Sequence, residues 1–171
     1  MGTILNGQVD VFRTIVAGVA KNKNLQLVLS IGDQVDPKQI GPVPKNAIIV
    51  KQAPQLELLK RATACITHAG LNTALESLAQ GVPQLAIPIT YDQPGVAARI
   101  AHQKTGVVTS LDKLTADHLA FLLEDLLVDP TYRENARKLQ KAIAKANGLS
   151  VAADLIEESL RVSRKINAAA A

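Results

Sequence analysis

Five short, unbroken apolar runs, spread over a chain of 171 residues, constrain its fold more than any other feature. They read LQLVLSI (25–31), AIIV (47–50), ACIT (64–67), PQLAIPI (83–89) and GVVT (106–109). A strand with one wet face alternates apolar and polar residues, whereas a continuous run implies cover on both faces. Between the runs, apolar residues recur at helical spacing: Phe12, Ile15, Val16 and Val19 share a face, as do Ala74, Leu75, Leu78 and Ala79, and again Val96, Ala97, Ile100 and Ala101. This alternation predicts a Rossmann-like α/β domain, a parallel sheet of about five strands with right-handed crossovers and helices on both faces.

After the last run the pattern is helical only. Thr115 is placed to cap a helix with Leu119, Leu122, Leu123, Leu126 and Leu127 on one stripe. Asp129-Pro130 starts a second helix, with Gly148 just past its end, and Ser150 starts a third. In that third helix Asp154, Glu157 and Glu158 come early and Arg161, Arg164 and Lys165 late, as the helix dipole favours. The domain is expected to span residues 1–165, with 166–171 a frayed tail and QVDPKQIGPVPKN (34–46) a linker-like loop. One element is out of place. The helix over residues 8–21 should follow a strand, and MGTILNG supplies almost none. The first strand of a doubly wound sheet lies at its centre, so its loss is expected to leave two unpaired edges open to self-association.

Composition excludes several classes of function. Nineteen Lys and Arg against 15 Asp and Glu leave a net charge of only +4, too little to argue for nucleic acid. The four aromatics, Phe12, Tyr91, Phe121 and Tyr132, do not make a base-stacking platform. Cys65 is the single cysteine, which excludes an internal disulfide and fits a reducing, cytoplasmic setting. No apolar run is long enough to span a membrane.

THAGLNTALE (67–76) carries the strongest chemical signal. Thr67 ends a strand and Asn72 opens a helix, so HAGL (68–71) is the turn between them. The first N–H groups of a helix lack internal partners and its dipole is positive there, which suits an anion. Gly70 lets a bulky anion approach, Asn72 and Thr73 add donors, and Glu76 shares their face one turn deeper. Glu76 would be repelled by a phosphate but can accept hydrogen bonds from ribose hydroxyls. Taken alone, such a turn is more often a capped helix with a satisfied histidine. A second turn, PITYDQPG (88–95), brings Asp92 and Gln93 into another helix at the same carboxyl edge, where a carboxylate beside an amide suits a hexose. A third, KQAPQLELL (51–59), leaves a strand at that edge too. Their commoner readings are an ordinary cap at Asp92 and a proline-bearing loop.

HAGLNTALESLAQGVPQLAIPITYDQ (68–93) resembles the donor-sugar signature of UDP-dependent glycosyltransferases of the two-domain GT-B fold. The spacing agrees at His68, Gly70, Asn72, Thr73, Glu76, Gly81, Pro83, Asp92 and Gln93, and the likeness extends over nearly the whole chain as that family's C-terminal domain. The macrolide enzymes share the signature, and YDQPGVAARIAH (91–102) looks like the zeaxanthin glucosyltransferases. The resemblance implies that His68, Gly70, Asn72 and Thr73 hold the diphosphate, Glu76 the ribose, and Asp92 with Gln93 the transferred sugar. It places Ala53 and Gln55 against uracil, although Gln52 stands where an aromatic usually stacks on the base. Gly2-Thr3 matches the end of a Gly-Thr turn, which adds Thr3 to the site and puts the missing strand before Met1. The family needs no metal or other cofactor, and its general base belongs to an N-terminal acceptor domain. His102 and His118 read as helix-surface residues and no catalytic residue is assigned in this chain.

The implied function is therefore donor binding for an inverting hexosyl transfer to a hydroxyl acceptor. The implied partners are a UDP-sugar, an acceptor domain or subunit, and a membrane surface where the acceptor is a lipid. Three alternatives stand beside it: a natural donor-binding subunit of a split glycosyltransferase, a non-catalytic sugar-nucleotide-binding module, and a hexosamine-nucleotide epimerase. The last should not carry the Asp92-Gln93 pair.

Overall fold

A computed structural model describes residues 8–169, with the backbone alone described from residue 162 onward. All five expected strands form, and every pairing is parallel, but they make two sheets. β1 (Leu27–Ser30) pairs with β2 (Ala47–Val50), in register from Leu27 opposite Ala47 to Ser30 opposite Val50. The second sheet has the order β3 (Cys65–Thr67), β4 (Gln84–Ala86), β5 (Gly106–Val108). Thr67 lies opposite Ala86, and Ala86 opposite Val108, so these strands end at one level. Among the described residues no ladder joins β1 to β3. The break falls where the alternation places the chain's first strand, and Gly2-Thr3 lies outside the described residues.

The sheets are held together by side chains instead. Leu29 and Ile31 from the first meet Leu85, Ile87 and Ile66 from the second in one apolar cluster. α1 (Val9–Ala20) closes that cluster with Phe12, Ile15, Val16 and Val19, and α5 (Ala116–Val128) with Leu119, Leu123 and Leu126. α3 (Leu71–Ala79) and α4 (Gln93–His102) enclose a smaller one of Ala74, Ala86, Ala97 and Ile100 on another part of the second sheet. β4 and β5 run so close that a Cβ on Gly106 would stand 2.0 Å from the Gln84 carbonyl oxygen.

Cover on both faces holds at β4, in the middle of the second sheet, while Val108 on its edge strand β5 is 36% exposed. Leu85, Ala86 and Ile87 are wholly buried, whereas Val28 and its partner Ile48 stay 38% and 48% exposed. β1 and β2 are thus packed on one face, a correction to the reading of their apolar runs. The stretch 34–46 is likewise no free linker. Asp36 caps a 3-10 turn over Pro37–Ile40 in a capping box with Gln39, and Val35 and Ile40 are buried.

Three of the expected helix starts and stops can be compared directly. Thr115 accepts from the His118 N–H at the start of α5, and Asp129 accepts from the Thr131 N–H at the start of α6 (Pro130–Ala146). Asn147, not Gly148, takes the left-handed cap of α6, with φ of 43°. α7 (Gly148–Ala169) therefore begins ahead of Ser150 and reaches into the stretch expected to fray. α2 (Gln55–Leu59) is a short helix leaving the carboxyl edge of β2.

Candidate functional site

β3 and β4 are parallel neighbours, so the turns that leave them open at the same edge. At the first, the Thr67 hydroxyl accepts from the Ala69 N–H at 3.2 Å and folds the chain back. Ala69 is fully buried and left-handed, with φ of 63°, an uncommon conformation for a residue with a Cβ. Gly70 then enters α3 as its N-cap, and no side chain caps that helix. The first N–H groups of α3 are left open, as an anion site requires.

Gly70 has a further steric role beside the one its sequence context suggested. The His68 imidazole lies across it, and a Cβ there would stand 2.7 Å from Nε2. The glycine makes room for the histidine ring. His68 is buried, and burial lowers its pKa below 6.5 while the nearby Asp92 carboxylate pulls the other way. The ring is thus neutral at neutral pH, and it lies against the start of α3.

Glu76, half-buried on α3, accepts a hydrogen bond from Gln55 Nε2 at 2.5 Å, and the same nitrogen stands 3.4 Å from Thr73 Oγ1. This contact ties α2, and with it Ala53 and Gln55, to the open face of α3. Asn72 is exposed beside them. At the second turn Tyr91 is left-handed, with φ of 57°, and 76% exposed. Asp92 follows as the N-cap of α4, yet its carboxylate makes no capping bond and stays free. Gln93 is buried, and its Oε1 accepts from the N–H groups of Ile89 at 2.8 Å and Thr90 at 3.0 Å. Its side-chain carbonyl braces the turn, and its amide nitrogen makes no hydrogen bond among the described residues.

His68, Gly70, Asn72, Thr73, Glu76, Asp92 and Gln93 follow the carboxyl ends of β3 and β4, Ala53 and Gln55 follow that of β2 and reach them through the Gln55–Glu76 contact, and Thr3 lies outside the described residues. Sequence reading missed the strained Ala69 and Tyr91, because neither residue type signals a left-handed backbone. It also missed Asp33, which follows the end of β1 at the carboxyl edge and accepts from Gln52 Nε2 at 3.1 Å.

A family model for UDP-glucoronosyl and UDP-glucosyl transferases matches residues 10–147. The chain belongs to that family. Oleandomycin glycosyltransferase of Streptomyces antibioticus is 34% identical over 162 residues, which cover 94% of this chain and 37% of that protein. Zeaxanthin glucosyltransferase of Pantoea ananas is 32% identical, over 92% of this chain and 37% of its own length. Among solved structures, the calicheamicin glycosyltransferase CalG4 superposes with a TM-score of 0.87 at 30% identity, over 95% of this chain and 42% of that one. Os79 from O. sativa, solved in complex with UDP, gives a TM-score of 0.73 at 25% identity, over 82% of this chain and 34% of its own. The chain thus spans about two fifths of the length of the family members it matches. This family membership accounts for the parallel α/β fold. No helix among the described residues is long and apolar enough to cross a membrane.

Proposed function

We propose that this edge binds a UDP-sugar, as the donor half of an inverting glycosyltransferase that moves a hexose to a hydroxyl acceptor. The observation that carries the reading is the convergence of two uncapped helix starts with the Glu76 and Asp92 carboxylates. The N-terminus of α3, with Asn72, Thr73 and the neutral His68 ring, stabilises the diphosphate and the charge it gains on leaving. Glu76 exchanges the Gln55 amide for the ribose hydroxyls. Asp92 and the Gln93 amide hold the sugar.

The acceptor and the base that deprotonates it belong to a second domain or subunit, which is the partner we assign. General-base help is worth roughly 100- to 10,000-fold, so the 171-residue chain by itself should release no glycosylated product. Among the described residues the edges of β1 and β3 that face the break carry no ladder partner, and in this reading they are further contact surfaces, for a strand or a second copy. A lipid acceptor would add a membrane surface, and the reduced Cys65 fits the cytoplasm.

Titration calorimetry with UDP and a UDP-hexose tests the assignment. Glu76→Ala should weaken both ligands by about 1–3 kcal/mol through lost charged hydrogen bonds. Asp92→Ala should leave UDP nearly unchanged and weaken only the sugar nucleotide. Equal losses for both ligands in the Asp92 variant, or robust transfer by the chain without its partner, would overturn the reading.

A further inference from the structure

The hydrogen bonds between β1 and β2 continue past the strands. Ile31 N–H donates to the Val50 carbonyl at 2.9 Å and Gly32 N–H to the Lys51 carbonyl at 2.8 Å, which also accepts from Ser30 Oγ at 3.0 Å. Gly32, with φ of 74°, then turns the chain and delivers Asp33 to Gln52. Asp33 lines a polar cleft of about 590 Å³, together with Gln34, Asp36, Gln39 and Lys51. Asp36 and Gln39 are already committed, while Gln34 and Lys51 make no side-chain hydrogen bond among the described residues. Asp36 accepts from the Lys38 N–H at 2.9 Å, and Gln39 Oε1 accepts from the Asp36 N–H at 3.0 Å. The Asp33 carboxylate holds only the Gln52 amide, through Oδ2, among the described residues. A carboxylate oxygen and the Gln52 carbonyl are therefore spare acceptors at the carboxyl edge, one residue ahead of Ala53.

Spare acceptors select for donors. Uracil offers one N–H flanked by two carbonyl oxygens, which a carboxylate repels. Guanine offers its N1–H and 2-amino group side by side, an arrangement that a carboxylate accepts. An aromatic face beneath a base is indifferent to that difference, because every base has a π-face. We propose that Asp33, with the Gln52 amide it pins, makes the base slot a hydrogen-bonding one that admits guanine alongside uracil, so that guanosine diphosphate sugars are donors here too. The inference rests on the donor-site reading above, and Asp33 is its specificity-determining residue.

Calorimetry on the full chain with UDP and GDP separates the two. The wild-type chain should bind GDP within about tenfold of UDP. Asp33→Ala and Asp33→Asn should each weaken GDP by about tenfold or more, the worth of a hydrogen bond to a charged group. UDP should stay within about twofold in both variants, which also shows that they fold, and Asp33→Glu should restore part of the GDP affinity. If UDP binds but GDP does not, or if Asp33→Ala changes both by the same factor, this inference falls and the donor-site reading stands. If neither nucleotide binds, both fall.

Discussion

The two sheets of this domain are written in the same sequence grammar and buried to different degrees. Leu85 in β4 is sealed on both faces, while Val28 in β1 keeps an outer face open, although both sit in unbroken apolar runs. The difference lies in what the chain supplies as cover. The second sheet has α3 and α4 over part of it and α1 with α5 over the main cluster. The first has cover from that main cluster on one side only. A run of apolar residues reports a readiness to be buried, and burial itself depends on neighbours that a local pattern does not name.

The sharpest way to break the contrast is Gly106→Ala. Its new Cβ would meet a backbone oxygen of β4, and backbone has little room to yield, so a loss of about 3 kcal/mol or more is expected in urea unfolding. A milder loss would mean that β5 sits farther from β4 than described. Next comes a matched pair of truncations. Leu85→Ala should cost about 2–5 kcal/mol, and Val28→Ala under about 1 kcal/mol. Comparable losses would mean that the outer face of β1 is covered in solution, and a concentration-dependent melting temperature would identify a second copy as the cover.

A smaller effect probes the link between the halves. A double-mutant cycle on Gln55→Ala and Glu76→Ala should return a coupling of about 0.5–1 kcal/mol in unfolding free energy. Strict additivity would show that the contact does not join α2 to α3. The smallest effect is a pH dependence. The folded-state pKa of His68 lies below its unfolded value of 6.5, so the unfolded chain binds the proton first. That contribution to stability is complete above pH 6.5 and is lost as pH falls through the folded pKa. His68→Asn should flatten the melting temperature over that window, and an unchanged slope would place the effect elsewhere.

Much of the site was legible because its signals are local. A strand, a turn and a helix start follow one another within a few residues, so His68, Asn72, Glu76 and Asp92 could be put at one edge without coordinates. The capping of α5 and α6 by Thr115 and Asp129 was legible for the same reason. What was hidden depends on residues far apart in the chain. Asp33 carries no local signal of its own and acquires its meaning only beside Gln52. The loop 34–46 reads as a linker because its Pro and Gly content is visible, whereas the burial of Val35 and Ile40 is not.

Among the described residues no ladder joins β1 to β3, and this has a mechanical consequence. Two blocks that meet through side-chain packing and the Gln55–Glu76 hydrogen bond can shear along that seam, since such contacts resist sliding less directionally than a row of backbone hydrogen bonds does. The cleft beside Asp33 lies on one block and the open end of α3 on the other. A ligand seated at both would act as a clasp across the seam, with its base fastened to the first block and its phosphates to the second. Amide protons in β1 and β3 should then exchange far more slowly in the loaded domain than in the empty one, with little change in β4 and β5.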